Sequence, residues 1–331
     1  MAWKKQLWIK GIGCSYPGMA TALVKHYSSK VDLKKLKPMI LKRIEDRAKF
    51  YPIQPLIPIA EEVLSSRMRL IEGVSVLMHV VPVLTCKFCS EVYIGESGHL
   101  IKTCQGYKRR SKVRLTHEWI SGSLRDILVP VETFHLKDMF QEVIRHEQRF
   151  DYDRVPAVVE LCRQAGADLS EYNKFKANCD SGDVPRNLDE AIPTSPVETA
   201  TLANNTLKSW EALRSGIQKL LMAYPVKVCA SCDEVHVGPS GHRARLCGVF
   251  KYESWKAYHF WKKAGVDDLV PQKIVWRRRS QDPVVLVDEG KGFYGHAPAV
   301  VDLCLKAGAL MPKKYATLMK EFGLKAPSDL V

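Results

Sequence analysis

Apolar and polar positions along the chain predict helices separated by short strands. The richest apolar run, Val74–Leu84, contains proline at position 82, and a helix is predicted to end before it because proline disfavours helical backbone in the preceding residue. Pro156–Ala165 and Pro298–Ala307 each begin with proline and are followed by glycine, which is typical of short helices. Two runs have the pattern of short strands, Glu91–Ile94 and Glu234–Val237. The sequence therefore predicts a mainly α fold with small β-hairpins.

This pattern occurs twice along the chain. Of the 19 positions in segment 86–104, nine are identical in segment 229–247, at an offset of 143 residues, whereas unrelated segments share about one. Leu128–Pro130 likewise corresponds to Leu269–Pro271, at an offset of 141. We therefore predict a duplicated domain, with the first repeat at 57–169, a linker rich in Asp, Pro, Ser, Thr and Asn at 178–205, the second repeat at 206–310 and a C-terminal tail at 311–331.

Each repeat contains three cysteines and one histidine in the order C-x2-C-x9-H-x4-C. This donor set is typical of structural zinc sites, in which four ligands complete a tetrahedron. We therefore predict two zinc ions, one in each repeat; an iron–sulfur cluster is the alternative, since thiolates or a Cys/His mixture also hold such clusters. The predicted metal ligands are Cys86, Cys89, His99 and Cys104 in the first repeat and Cys229, Cys232, His242 and Cys247 in the second.

No catalytic motif accompanies the predicted metal sites. A closed four-ligand site has no open position for water or substrate. The sequence also contains no H-E-x-x-H, G-x-x-x-x-G-K-[ST] or G-x-S-x-G motif. We therefore expect a non-enzymatic protein with no catalytic residues and no small-molecule substrate. No run of 18 apolar residues occurs either, so no membrane-spanning helix is expected.

The charge of the chain indicates the kind of partner. The sequence has 50 basic and 36 acidic residues, a net charge of +14, which favours a polyanion such as nucleic acid. Basic residues interspersed with aromatic residues follow each metal motif. Basic side chains neutralise phosphates, and aromatic side chains stack on unstacked bases. Three adjacent charges cannot all pack inward, so residues 277–279 are expected at the surface. The candidate RNA contacts are Lys108, Arg109, Arg110, Lys112, Arg114, Arg243, Arg245, Lys251, Arg277, Arg278 and Arg279.

The N-terminal segment has the composition of an organellar presequence. Residues 1–31 contain five lysines and no acidic residue, and Trp3, Leu7 and Trp8 are spaced to line one side of a short helix. Mitochondrial presequences favour arginine over lysine, so the segment departs from their usual composition. We predict that residues 1–30 target the protein to an organelle; an ordinary basic tail is the alternative.

The two metal motifs together resemble those of a known family. Both copies fit C-x2-C-x-E-V-[YH]-[IV]-G-x-S-G-H-x4-C, which resembles the APO (accumulation of photosystem one) family of plant organellar proteins over about residues 57–310. The resemblance implies a metal-binding domain in two copies that binds RNA and promotes group II intron splicing, together with other splicing factors, in chloroplasts or mitochondria. The short N-terminal extension is similar to that of the mitochondrial member, which implies a mitochondrial location, with the chloroplast as the alternative.

Three functions stay open at this point. The first is RNA binding through two zinc modules, which predicts affinity that falls steeply with salt. The second, which the family resemblance also implies, is a role in the assembly or stability of organellar complexes that contain 4Fe-4S clusters, and it predicts a coloured protein. The third is a protein-interaction scaffold in a ribonucleoprotein, which predicts poor affinity for free RNA.

Overall fold

The computed structural model describes residues 33–104, 106, 116–140, 143–180, 184–186, 192–243, 247 and 258–316. The predicted presequence, 1–30, and the part of the predicted tail after 316 lie outside these residues. The chain divides after Arg43 into two units, and both repeats belong to the second of them.

The first half of the chain alternates helices with very short strands. A 3-10 turn at Gln54–Leu56 precedes the long helix α2, and a second 3-10 segment spans Glu147–Asp151. The elements are α1 (Leu33–Ala48), α2 (Ile57–Val80), β1 (Val83–Cys86), β2 (Val92–Ile94), β3 (Trp119–Ser121), α3 (Leu124–Ile127), β4 (Glu132–Phe134), β5 (Arg154–Pro156), α4 (Ala157–Gln164), α5 (Ser170–Ala177), β6 (Cys179–Asp180) and β7 (Val184–Pro185).

The second half repeats the order from α2 to α4. Its elements are α6 (Pro196–Ala223), β8 (Val226–Cys229), β9 (Val235–Val237), β10 (Trp261–Lys263), α7 (Val266–Leu269), β11 (Ile274–Arg277), β12 (Gly295–Pro298) and α8 (Ala299–Lys306), followed by α9 (Lys313–Ala316). Since each element has a counterpart in the same order, the sequence duplication is also a structural one. The prediction of helices with small antiparallel sheets is confirmed at this level.

Each repeat contains one three-stranded antiparallel sheet. In the first, β1 lies between β2 and β3, with Thr85 opposite Val92 on one side and Ile120 on the other. In the second, β8 lies between β9 and β10 in the same way. The hairpin around CxxC was expected, but the third strand was not. That strand is only three residues long, and its pattern is too brief to distinguish from a loop by sequence.

The two repeats share one hydrophobic core. Its buried members come from both, and α2 and α6 pack closely along their length. Close approach is possible because Gly73 of α2 faces Thr206 and Gly216 of α6 faces Val63, where a methyl group would overlap the opposing side chain. Gly73 and Gly216 correspond at the offset of 143, as do Val63 and Thr206. The contact is therefore reciprocal, and the repeats are related by an approximate two-fold axis between α2 and α6.

The linker predicted at 178–205 differs from the structure at its C-terminal end. Helix α6 begins at Pro196, and Ser195 caps it by accepting a hydrogen bond from the Glu198 backbone N–H at 3.2 Å. Proline at the first helical position and serine before it are helix-start signals, which the polar composition of this stretch concealed. Residues 196–205 are thus helical. Within the described residues, the structure contains no helix long and apolar enough to cross a membrane.

Candidate metal centres

The strand β1 delivers the first two cysteines of the motif to one tight turn. Cys86 ends β1, and its backbone N–H donates to Glu91 O at 2.9 Å, which closes the turn that contains Cys89. The backbone N–H of Phe88 points at Cys86 Sγ from 3.5 Å. In the second repeat, the N–H of Cys229 donates to Glu234 O at the same distance. Backbone geometry therefore turns two sulfurs of each CxxC to one point.

Four donor atoms converge in each repeat, three sulfurs and one imidazole nitrogen. All ligand atoms of a group lie within 4.8 Å of one another. Cys86 Sγ lies 3.8 Å from Cys104 Sγ, and the corresponding distance from Cys229 to Cys247 is also 3.8 Å. The two groups are Cys86, Cys89, Cys104 and His117 in the first repeat and Cys229, Cys232, Cys247 and His259 in the second. Each group could hold a metal ion.

The histidines in these groups are not those predicted from the sequence. His117 Nδ1 lies 3.6 Å from Cys89 Sγ, and His259 Nδ1 lies 3.3 Å from Cys232 Sγ. His99 instead accepts a hydrogen bond at Nδ1 from the Ile101 backbone N–H at 3.2 Å, and its Nε2 lies 2.9 Å from Glu91. Both ring nitrogens of His99 are therefore engaged away from the sulfurs. The structure therefore places His117 and His259, and not His99 and His242, beside the three sulfurs of each group.

The register of the repeat explains how these histidines were missed. His117 and His259 are 142 residues apart, whereas the cysteines are 143 apart, because the segment between the third cysteine and β10 is one residue shorter in the second repeat. His117 precedes β3 by two residues, and His259 precedes β10 by two. Because β3 and β10 pair with β1 and β8, they return the histidine to the CxxC turn. Matching His-x-Trp across the slipped register is the sequence signal that identifies them.

A glutamate lies beside the histidine of each Cys3His group. Glu91 Oε2 lies 3.2 Å from His117 Nε2 and accepts from Thr103 Oγ1 at 2.9 Å. Burial opposes ionisation of Glu91, but the hydrogen bonds from His99 and Thr103 outweigh it and lower the pKa of the carboxyl. In the second repeat the same balance, with His242 and Arg154 nearby, lowers the pKa of Glu234 to about 2. A carboxylate on the far nitrogen fixes the tautomer that turns the other nitrogen towards a metal.

Burial and local hydrogen bonds set the pKa values of the described CxxC cysteines. Burial disfavours the Cys86 thiolate, yet the backbone N–H groups of Phe88 and Cys89 outweigh it and lower the pKa of Cys86. Burial, together with the neighbouring sulfurs of Cys86 and Cys104, raises the pKa of Cys89 to about 12. The same backbone donors at the second site, with His259, lower the pKa of Cys229 to about 6. A bound cation relieves this repulsion, since it favours the thiolate form of all three.

Residues of the other repeat pack against each centre. Hairpin β11–β12 packs on β2, and β4 packs on β9. Trp276 Nε1 donates to Glu91 Oε1 at 2.9 Å. The residues that follow His99 and His242 also form hydrogen bonds across the repeats. Leu100 N donates to Leu286 O and Arg243 N donates to Ile144 O, both at 2.8 Å. The two candidate centres therefore belong to one interlocked structure.

The predicted RNA contacts are only partly described. Arg243 is exposed and lies directly after His242. Arg278 is exposed, and its Nε donates to Pro283 O at 2.8 Å. Seven candidates lie outside the described residues: Lys108, Arg109, Arg110, Lys112, Arg114, Arg245 and Lys251.

The expectation that all of residues 277–279 are at the surface is wrong. Arg279 is buried, and its Nη2 lies 2.9 Å from Asp282 Oδ1. Arg277 is half-buried, with Nε 3.3 Å from Oδ1 of the buried Asp302. The internal partners are Asp282, three residues after Arg279, and Asp302 in α8. Arg278 alone of the three presents an exposed side chain.

Comparison with known proteins identifies relatives of the whole described region. The model of the APO RNA-binding family matches residues 16–178 and 196–321. The chain is 37% identical over 301 residues to APO protein 2, chloroplastic, of Arabidopsis thaliana, covering 82% of this chain and 68% of that one. It is 34% identical over 320 residues to APO protein 1, chloroplastic, of the same plant, covering 87% and 73%.

A third relative is assigned to a different organelle. The chain is 32% identical over 332 residues to APO protein 3, mitochondrial, of Arabidopsis thaliana, covering 92% of this chain and 82% of that one. Among these three, identity ranks a chloroplastic protein first and shared length ranks the mitochondrial one first. No solved structure matches the chain.

Proposed function

Because the chain belongs to the APO RNA-binding family, we propose that it binds organellar RNA through two zinc-stabilised modules and promotes the splicing of group II introns. The observation that carries the proposal is the position of the Cys3His groups. In each repeat, the third cysteine and the histidine that share a group are the two ends of a short basic and aromatic segment. The metal therefore fixes both ends of the segment with the best composition for RNA contact.

The donor spacing supports zinc as the metal. Around a tetrahedral ion with metal–sulfur distances of about 2.3 Å and metal–nitrogen distances of about 2.0 Å, sulfurs stand about 3.8 Å apart and nitrogen stands about 3.5 Å from sulfur. The sulfur–sulfur distances of 3.8 Å and sulfur–nitrogen distances of 3.6 and 3.3 Å fit these values. In a [4Fe–4S] cluster each ligand binds a different iron, and in a [2Fe–2S] cluster the four ligands are divided between two irons, so both clusters require wider spacing of the four donors than a single ion does. Bound zinc would serve to hold the fold, since four protein ligands leave no position open.

The segment between the ligands differs in character between the repeats. Residues 105–116 contain five basic residues and no acidic one. Residues 248–258 contain two lysines, one glutamate and four aromatic residues. Basic side chains neutralise phosphates, and aromatic rings stack on bases. Two unlike modules on one chain can thus hold a structured RNA at two points, with higher affinity than either alone.

Metal content is the measurement that separates zinc from the cluster alternative. The full chain, purified without oxygen, is expected to contain two zinc ions and to show no visible absorbance. Iron, sulfide and a brown absorbance band would contradict the zinc assignment and favour a role with iron–sulfur complexes instead.

RNA binding is tested by salt titration with a matched pair of variants. The chain is expected to bind a group II intron RNA with a log–log salt slope of about −0.7 to −0.9 per phosphate contact. The triple variant Lys108→Ala/Arg109→Ala/Arg110→Ala should weaken binding and make the slope shallower. The control Arg69→Ala/Lys174→Ala/Lys219→Ala removes the same charge from exposed positions outside the segment and should leave both unchanged. Equal losses in the two variants would contradict a specific role for the segment.

Location and splicing are tested in the plant. We propose that residues 1–30 direct the protein to mitochondria, so a fluorescent fusion of these residues should colocalise with a mitochondrial marker. Loss of the gene should cause retention of particular group II introns, and a Cys86→Ser/Cys229→Ser chain should fail to restore splicing. Plastid localisation, or normal splicing of every organellar intron in the mutant, would contradict the respective part of the proposal.

A further inference from the structure

A chamber of about 250 Å³ lies between the repeats, where α2 and α6 meet the loops that follow α3 and α7. Its walls contain residues that correspond under the duplication. Leu70 faces it with Leu213, and segment 128–130 faces it with segment 269–271. These are the two copies of the Leu-Val-Pro motif, which the metal centres do not use. The chamber therefore contacts corresponding positions of both repeats.

One of the corresponding pairs in the wall differs in chemical character. Arg67 in α2 corresponds to Trp210 in α6, and both line the chamber. Trp210 is 1% exposed, and its Nε1 donates to Tyr315 Oη at 3.2 Å, so the indole polar group is already engaged. The guanidinium carbon of Arg67 lies 5.8 Å from the centre of the Tyr172 ring. An arginine side chain and an aromatic side chain thus occupy equivalent positions around one small space.

Cationic side chains also surround the mouth of the chamber. Arg125 and Lys176 line it and are exposed. Arg154 lines it as well, but its Nη1 is bound to Glu234 at 2.9 Å. Among the lining residues that the structure describes, Glu132 is the one carboxylate. The charge at the mouth therefore favours an anionic group beside an apolar space.

The wider cleft next to the chamber has the opposite charge. Arg125 and Arg154 line this cleft too, but so do Glu132, Asp233, Glu234, Asp267 and Asp268. A phosphate chain is repelled from that side and attracted to the side of Lys176. The charges therefore select a direction of approach.

We propose that the chamber binds one unstacked base of a single-stranded RNA and that Arg125 and Lys176 hold the adjoining phosphate. The inference rests on the RNA-binding function proposed above and assigns a site within it. Pockets for drug-sized ligands have volumes of about 300–1,000 Å³, so a chamber of about 250 Å³ is suited to a smaller group, such as one base. Apolar and aromatic contact with a base is tolerant of sequence, and an ion pair to its phosphate adds salt dependence.

The test fills the mouth of the chamber without changing its charge. Val129 is 38% exposed and lines the chamber, so Val129→Trp places an indole where the base is proposed to bind. The control is Val284→Trp, at a position that is 77% exposed and does not line the chamber. The probes are a labelled 12-nucleotide single strand and an RNA duplex of the same length, measured by fluorescence anisotropy on the full metal-loaded chain.

Val129→Trp is expected to weaken binding of the single strand about tenfold and to leave duplex binding unchanged. Val284→Trp should change neither by more than about twofold. Two exposed lysines on helix α5 give an independent test that does not fill the chamber. Lys176→Ala should lower single-strand affinity and reduce the salt slope by about one phosphate, whereas Lys174→Ala, on the same helix but outside the chamber, should not.

The outcomes separate this inference from the function on which it rests. Unaltered single-strand affinity in both Val129→Trp and Lys176→Ala overturns the chamber as a base site, while binding by the wild-type chain leaves the RNA-binding function intact. If the wild-type chain binds neither probe but binds the group II intron RNA, the chamber alone is overturned; if it binds none of the three, both proposals are overturned. If Val129→Trp does not fold with its full metal content, the comparison of Lys176→Ala with Lys174→Ala decides.

Discussion

Arg154, in the first repeat, donates a hydrogen bond from Nη1 to Glu234 Oε1, in the second repeat, at 2.9 Å. The other oxygen of Glu234 lies 3.3 Å from Nε2 of His259, a member of the second Cys3His group. Trp276 makes the reciprocal contact from the second repeat to Glu91 in the first. Each centre is therefore oriented in part by a side chain that belongs to the repeat without that centre.

These contacts between the repeats predict that a substitution in one repeat weakens metal binding in the other. Trp276→Phe removes the N–H donated to Glu91 but retains an aromatic ring beside His296 and Tyr294. We expect the first-repeat zinc to transfer to a chromogenic chelator about tenfold faster, because loss of such an orienting bond typically costs 10- to 100-fold in metal affinity. The second-repeat zinc should transfer at the wild-type rate.

Arg154→Ala provides the reverse experiment. The Arg154 side chain is 37% exposed, so solvent screening reduces the contribution of its ion pair, and a two- to fivefold faster release of the second-repeat zinc is expected. Arg186→Ala, which removes an exposed arginine paired with Asp180, is the control and should change neither rate. If zinc leaves both sites at the wild-type rate in all variants, the centres do not depend on the opposite repeat.

The identity of the fourth ligand gives a second prediction. His117→Ala should reduce bound zinc from two ions to one, because His117 Nδ1 is the nitrogen that faces the sulfurs. His99→Gln should retain both ions, since both nitrogens of His99 are used elsewhere. Zinc per chain, measured by elemental analysis on folded protein, distinguishes them. Loss of zinc in His99→Gln with retention in His117→Ala would restore the assignment made from spacing alone.

The cysteines were predictable from sequence and the fourth ligand was not, for a physical reason. Cys86 and Cys89 are close in the chain, so a turn brings them together and the spacing is informative. His117 reaches them only through the pairing of β3 with β1, a three-residue contact that periodicity does not reveal. The sequence spacing favoured His99, five residues before Cys104, but in the structure its ring contacts Glu91.

Charge burial was similarly hidden from the sequence. Three adjacent arginines have the pattern of a surface patch, yet Arg279 is enclosed with Asp282 and Arg277 lies beside Asp302. The first pairing depends on a turn between Arg279 and Asp282, and the second depends on the packing of α8, which contains Asp302. The duplicated helices and strands, by contrast, follow from local pattern and repeated identities, which is why the fold class was predicted more fully than the surface.

Glu160 predicts a pH dependence of stability. This carboxylate is fully buried and accepts hydrogen bonds from His135, Arg163 and Gln164 at 2.7–3.2 Å. Burial opposes its ionisation, but these donors outweigh that effect and lower its pKa. A folded-state pKa below the unfolded value contributes stability above about pH 4.3, which is lost as the pH falls through the folded value.

Glu160→Gln is therefore expected to lower the free energy of unfolding by about 1–3 kcal/mol at pH 7, since it leaves buried donors poorly matched. The difference from wild type should shrink as the pH falls below about 4.3. Urea unfolding at several pH values measures this, and Glu171→Gln, at an exposed position in α5, is the control. A difference that stays constant with pH would show that the charge of Glu160 contributes nothing.

The packing of α2 on α6 gives a final prediction. At Gly73, a methyl group would overlap Thr206, so Gly73→Ala forces the helices apart in a core that both repeats share. We expect a loss of about 1–3 kcal/mol in the free energy of unfolding, as for other overpacked cores. Because the repeats interlock, unfolding should stay a single transition, with protease sensitivity rising in both repeats together.

Thr206→Ala in the same chain should recover part of the loss by removing the opposing hydroxyl and methyl groups. Gly292→Ala, where an added Cβ would meet no heavy atom within 4 Å, is the matched control and should leave stability unchanged. Two separate transitions in Gly73→Ala would instead show that the repeats are independent folding units joined by a weak contact.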